Sequence, residues 1–278
     1  MTRNIAISEI FENPVLIKYA LKAMIKSKFK IIKLLNNYDT LIDYLFSPDM
    51  IGIFGIVIEN DYLKIKYKGK EYKFKKYGNV RDMGARLVEQ FIIEQYSIMN
   101  IKDKIVIDIG AYLADSPIFF YANNAKKVIG FEPFPKIYEK ALENVILNGL
   151  QENIVLYNLA IYKEDGYIFA KDNEGPYSGL ELNGGREIKI NTITIDHVLS
   201  NFKNENVILK IDCEGCERFI FDHKIDLSCV SEIIVEYDYG YDYILESLKE
   251  QDFRVRLINK PKKINGRTTG LLYANKVS

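Results

Sequence analysis

The segment Asp108-Ile-Gly110-Ala111-Tyr112-Leu-Ala114-Asp115-Ser116 links an apolar run to the start of a helical pattern. Such a strand-to-helix turn can do recognition chemistry. Gly110 lets the backbone turn tightly and approach a ligand. The amides from Ala111 and Tyr112 to Asp115 and Ser116 can receive a carboxylate or a phosphate. Asp108 could hold an ammonium group, directly or through water. A dinucleotide fingerprint would need glycine at three positions, G-x-G-x-x-G. Tyr112 and Asp115 stand at the second and third of them, so a nucleoside carrying an amino acid fits better than NAD. The plain alternative is an ordinary turn. Gly130-Phe-Glu132-Pro133 ends the next strand, and Glu132 lies 22 residues beyond Gly110. An acid at about 20 residues' spacing accepts hydrogen bonds from ribose hydroxyls, and its two oxygens suit a bidentate pairing. Asn158, after a third strand, offers a polar edge to an adenine, with a simple turn residue as the rival reading.

A second group of residues is acidic. Lys210-Ile-Asp212-Cys213-Glu214-Gly215-Cys216-Glu217 follows another apolar run, and Glu236 lies in the run after that. Asp212 and Glu214 alternate along an extended backbone and so point the same way. Three roles are open to Asp212, Glu214 and Glu236. One carboxylate could take a proton from an acceptor hydroxyl. Asp212 and Glu214, together with Glu236 or Asp238, could hold a hard divalent cation. Or they serve capping and pairing with Lys210 or Arg218. Glu217 reads as a helix cap. Cys213 and Cys216 form a C-x-x-C that lacks the second ligand pair of a zinc site and the setting of a thioredoxin-like motif. His197 reads as a surface or packing residue, and no residue is assigned to a metal. Tyr177 and Ser178, in a turn-rich loop at 176–185, are candidates to cover the acceptor.

Elements must position these groups. The runs at 104–109, near Val128, near Val155, near Leu209 and near Val235 are apolar without alternation, as in parallel strands buried on both faces. Helical patterns at 136–147, 194–200 and 241–251 separate them, which argues for βαβ units. The runs at 253–258 and 270–275 have only a turn between them and predict a terminal antiparallel hairpin. Upstream, helical spacing from Pro14 to about Phe46 and three short strand-like runs from Ile51 to Phe74 predict a small α+β subdomain. A helix with a broad apolar face follows through Leu87, Phe91 and Met99. The expected division is 1–80 for the subdomain and 81–278 for the core.

Of the 278 residues, 48% are hydrophobic, and Lys+Arg and Asp+Glu are 38 each. A balanced charge speaks against a general nucleic-acid binder, so no nucleic-acid partner is expected. No run of about 18 apolar residues marks a membrane span. Three cysteines make no disulfide framework. Together these features predict a cytoplasmic protein without a membrane partner. Its oligomeric state is open, with N-terminal helices that could pair into a homodimer.

The strings VIDIGAYLADSPIFF, KKVIGFEPFP, NVILNGL, ITIDHVL and VILKIDCEGCE, in this order over about Ile105 to Glu236, resemble the FkbM-type methyltransferases. The resemblance implies a seven-stranded Rossmann-like fold, S-adenosylmethionine as donor, and O-methylation of a hydroxyl on a small molecule or glycan. Tyr112 and Ala114 depart from the family's first motif, which reads like GANIG. The expectation is therefore an S-adenosylmethionine-dependent methyltransferase. Rival readings are a non-catalytic Rossmann-like binding module, an NAD-dependent oxidoreductase, and a nucleic-acid base methyltransferase, the last without an N-P-P-Y or D-P-P-Y segment.

Overall fold

A computed structural model describes residues 51–172, 186–264 and 266–277. The expected N-terminal helices, and Tyr177 and Ser178, lie outside the described residues. The chain divides into two compact units between Gln95 and Tyr96. The division lies beyond the expected boundary between residues 80 and 81, so the helix at 80–91 goes with the first unit.

In the first unit a 3-10 turn at Ile51–Phe54 leads into the strands β1 (Val57–Ile58), β2 (Tyr62–Tyr67) and β3 (Lys70–Lys75), an antiparallel meander. The alternating apolar side chains of β2 and β3 put Leu63, Ile65, Tyr72 and Phe74 on the buried face. Helix α1 (Val80–Phe91) is capped by Asn79, whose side chain accepts from Arg81 N–H. Phe91 at its end packs against Tyr67, Tyr72 and Phe74. The helix expected to run on to Met99 ends here: Ile92 and Ile93 are β-branched, and Glu94 takes a left-handed backbone with φ 54.

The second unit holds, in chain order, β4 (Ile105–Ile109), α2 (Asp115–Ala122), β5 (Lys127–Phe131), α3 (Pro135–Leu147), β6 (Ile154–Tyr157), β7 (Ala160–Ile161), β8 (Gly166–Asp172), β9 (Arg186–Ile193), α4 (Ile195–Ser200), β10 (Val207–Ile211), α5 (Glu217–Ile220), β11 (Val230–Tyr237), α6 (Asp242–Lys249), β12 (Phe253–Leu257), β13 (Lys262–Ile264) and β14 (Arg267–Lys276). The main sheet runs β12-β14-β11-β10-β4-β5-β6. β11, β10, β4, β5 and β6 are parallel, while β14 is antiparallel to both β11 and β12. This is the expected Rossmann-like sheet closed by an antiparallel pair, with the short β13 added where only a turn was expected. Every residue of β4 and β10 is buried, which is why their sequences do not alternate. The runs at 166–172 and 186–193 form, with β7, a separate three-stranded sheet. The ends of β4, β5, β6, β10 and β11 share one edge, where ligands bind in open α/β sheets.

Candidate active site

The turn after β4 is held from several sides. Gly110 and Ala111 N–H both donate to the Phe131 carbonyl, at 3.0 and 2.9 Å. Gly110 has φ +82, and a Cβ there would sit 1.8 Å from the Asp212 carbonyl oxygen and 3.2 Å from Cys213 Cα. Glycine therefore serves the close approach of two backbones, the β4 turn and the segment after β10. Tyr112 and Ala114 are also left-handed, at φ 46 and 63. Each costs roughly 1–2 kcal/mol in that region for a residue with a Cβ. Asparagine and glycine, the residues of the related motif at these positions, accept that backbone more readily. Asp115 and Ser116 are buried in the first turn of α2, and Ser116 donates to Asp108 at 2.7 Å.

Glu132 is buried at the end of β5. Its Oε2 accepts from Tyr112 N–H and its Oε1 from Phe134 N–H, each at 3.0 Å. The Asn158 amide donates to the carbonyls of Glu132 and Pro133, both at 2.9 Å. Asn158 thus holds the acid-bearing corner, and its side-chain carbonyl is the atom left for a ligand edge.

Asp108 is fully buried and its partner is Lys210, directly across from it on β10 and 2.7 Å away. Lys210 Nζ also donates to Gly110 O at 2.8 Å and Ile109 O at 3.3 Å. Burial lowers the lysine's affinity for its proton, but the carboxylates of Asp108 and Asp212 outweigh this and its pKa is raised. The lysine, only 1% exposed, is charged. It ties the β4 turn to the acid after β10, since Asp212 Oδ2 is 3.8 Å from Nζ. Tyr96 Oη donates to that same Oδ2 at 3.3 Å. Burial, then the charges of Asp212, Glu236, Asp108 and Asp115, hold the Tyr96 phenol well above its usual pKa.

The remaining acids stand beside this group. Glu214 is exposed, with φ 57, and Glu236 is half-buried near the end of β11. Glu217 is buried in the first turn of α5, where it also accepts from the Asp238 N–H at 3.1 Å. Burial pushes the Asp238 carboxyl up to about 7, helped by the charges of Glu214, Glu217 and Asp212 and opposed by Arg267. Cys213 and Cys216 are joined as a disulfide around Glu214 and Gly215. One disulfide is thus present where none was expected. His197 is on the exposed surface beside Asp165, and His223 lies between Asp196 and Asp222. Among the described residues no group of three or more His, Cys, Asp or Glu could hold a metal ion, and no helix is long and apolar enough to cross a membrane.

The structure brings Asp108, Gly110, Ala111, Tyr112, Asp115, Ser116, Glu132, Pro133 and Asn158 to one corner, and Asp212, with Glu214 joined to it through one residue, to the adjoining strand end. Lys210, Tyr96 and Asn144 were not foreseen as site residues. Asn144, buried on α3, donates to Leu113 O at 2.8 Å. A lysine inside VILKI facing an aspartate inside IVIDI was the available signal, because a charge in a buried strand needs a partner. Glu132, an acid buried at a strand end beside a turn of backbone amides, has the chemistry that suits a ribose diol.

The FkbM methyltransferase domain model matches residues 108–255, just over half of the chain. No curated protein matches it in sequence. Solved structures with a related fold include PH0793 of Pyrococcus horikoshii, described as a candidate transferase, at 12% identity and TM-score 0.46, over 79% of this chain and 74% of that one. Another is Sp1610 of Streptococcus pneumoniae, described as a candidate tRNA (m1A22) methyltransferase and crystallised with S-adenosyl-L-methionine. It shares 15% identity at TM-score 0.44, over 66% of this chain and 71% of that one. A third is TrmK of M. capricolum with S-adenosylhomocysteine, at 16% identity and TM-score 0.43, over 66% and 67%. The expectation of no nucleic-acid partner is corrected by the second of these. That protein is described as acting on tRNA, and a net charge is a sum over the whole chain that leaves room for a local basic patch. The matched segment begins at Asp108 and takes in the β4 turn, Glu132 and the acids after β10: the chain belongs to the FkbM methyltransferase domain family, and its cofactor is S-adenosylmethionine.

Proposed function

We propose that this methyltransferase acts on a hydroxyl oxygen of a small molecule or glycan, in the cytoplasm. The observation that carries the reading is the set of carboxylates at the ends of β10 and β11, where Asp212, Glu214 and Glu217 hold the Asp238 carboxyl, already raised by burial, near pH 7. A hydroxyl is a weak nucleophile until its proton is drawn away, and an acid titrating near neutrality is suited to that task. When bound, S-adenosylmethionine supplies an activated methyl group on its sulfonium. Glu132 then accepts the ribose hydroxyls, and the amides of the β4 turn meet the methionine carboxylate. Asp108 acts through Lys210, which fixes the turn. Asp212 or Asp238 receives the acceptor proton, with Glu214 and Glu236 lining that side. Alignment of the acceptor oxygen supplies much of the acceleration.

The test is a product assay with S-adenosylmethionine and a panel of polyols, saccharides, phenols, amines and transfer RNA. A methyl ether read by mass and NMR is the expected product. A methyl on nitrogen, or on RNA, overturns the hydroxyl reading. Glu132→Ala is expected to weaken S-adenosylhomocysteine binding roughly 10- to 100-fold by calorimetry, the range for losing hydrogen bonds to a charged group.

A further inference from the structure

We propose that Cys213–Cys216 is a reversible thiol–disulfide exchange site, entered at Cys213 by a small thiol of the glutathione class, and that its state sets the grip of the β4 turn on the cofactor. The second half rests on reading that turn as the cofactor site. The two sulfurs are differently placed: Cys213 is half-buried, while Cys216 is buried at the start of α5. An outside thiolate therefore reaches Cys213 first, and access selects which sulfur is attacked. The bridge closes a ring over Gly215 and over Glu214, whose φ of 57 is costly for a residue with a Cβ, so cutting it removes a covalent constraint on that turn. The Cys213 backbone also runs beside Gly110, its Cα 3.2 Å from the point where a Gly110 Cβ would stand. The third cysteine, Cys229, is free and buried, against the Leu199 carbonyl. Movement at Cys213 thus reaches the cofactor turn through the adjoining Asp212, whose N–H donates to Ile109 O at 3.0 Å, and reaches the acceptor side through Asp212 and Glu214. In a reducing compartment a disulfide of this kind is transient and regulatory rather than structural.

The chemistry balances with two thiols. The first thiolate attacks Cys213 Sγ, the S–S bond breaks, and Cys216 leaves as a thiolate that takes up a proton. A second thiol attacks the mixed disulfide, releasing the oxidised thiol dimer and leaving Cys213 as a thiol. Two electrons and two protons pass from the thiols to the protein.

The experiment uses the full chain in glutathione buffers from fully reduced to fully oxidised, quenched in acid and read by intact mass. The expected result is a reversible two-electron interconversion. Cys216→Ser takes up one glutathione at Cys213, and Cys213→Ser takes up several-fold less at Cys216. Calorimetry with S-adenosylhomocysteine is then expected to give about threefold or greater tighter binding to the oxidised form, because a preorganised turn loses less freedom on binding. The Cys213→Ser/Cys216→Ser protein should follow the reduced value in every buffer. A pair locked in one state across the whole glutathione range, or equal uptake by both single variants, overturns the exchange site. Equal affinities overturn its coupling to the cofactor. Exchange with no S-adenosylhomocysteine bound by either form would instead sink the cofactor reading, and the coupling with it, while the exchange site stands.

Discussion

A carboxyl group such as Asp238 has consequences for stability as well as for chemistry. An unfolded aspartate loses its proton near pH 4, whereas in the fold burial and the charges of Glu214, Glu217 and Asp212 hold the proton up to about pH 7. Between those values the folded state binds more protons, so stability falls as pH rises, by up to about 1.4 kcal/mol per pH unit. The loss is complete above about pH 7 and absent below about pH 4. Asp238→Asn should therefore raise the melting temperature at pH 8 by several degrees and leave it nearly unchanged at pH 4. An equal shift at both values would place the charge elsewhere. Gly110→Ala tests a different residue-level claim. Its methyl would collide with the Asp212 carbonyl at 1.8 Å on a left-handed backbone, and roughly 3 kcal/mol or more of stability should go, seen in urea unfolding. The tight turn at Gly110 and the strand-end place of Glu132 were legible because glycine-turn and acid spacings are local in sequence. Lys210, Tyr96, Asn144 and Asp238 were not, since each acquires its role from a partner tens of residues or more away. The disulfide was missed for another reason: C-x-x-C was weighed only as a metal or redox motif, not as a clamp on a turn.

Among elements, the pairing of β4 with β10 does most to shape the site. Their register sets Lys210 against Asp108, and the pair is buried on all sides. Removing one partner leaves a buried charge alone, so Lys210→Met should cost about 3–5 kcal/mol. Asp108→Leu together with Lys210→Met should recover much of that in stability, because an apolar pair suits an apolar sheet. Neither variant should recover S-adenosylhomocysteine affinity, since both lose the donor to the Gly110 carbonyl. Urea unfolding and calorimetry run side by side separate the two effects. If the double variant binds as well as the parent, Lys210 serves packing alone. The order of strands and helices was legible, because unbroken apolar runs mark strands covered on both faces and 3.6-residue spacing marks the helices between them. Where α1 stops was not legible. Ile92 and Ile93 extend the apolar face in sequence, yet their β-branching and the left-handed turn at Glu94 end the helix. The short β13 was hidden in a turn-rich stretch, its pairing with β14 being a matter of tertiary register.

At the scale of the whole molecule, net charge proved the weakest guide. A sum of zero says nothing about how charge is distributed, and here acids gather at the ends of β10 and β11. The division between Gln95 and Tyr96 is the more useful property. Each unit buries its own apolar set: Leu63, Ile65, Phe74 and Leu87 in the first, and the residues of β4, β10 and β11 in the second. Two cores of different size have different unfolding enthalpies, which scale with the residues they order. Differential scanning calorimetry should therefore resolve two transitions, or one broadened beyond the two-state width. All of the proposed cofactor contacts lie in the second unit. Ligand binding stabilises the unit that binds by RT ln(1 + [L]/Kd), about 2.7 kcal/mol at a hundredfold excess over Kd. S-adenosylhomocysteine should then raise the larger transition by several degrees and leave the smaller where it was, and Glu132→Ala should remove that response. A single sharp transition that moves as a whole with ligand would mean that the two cores unfold as one cooperative body.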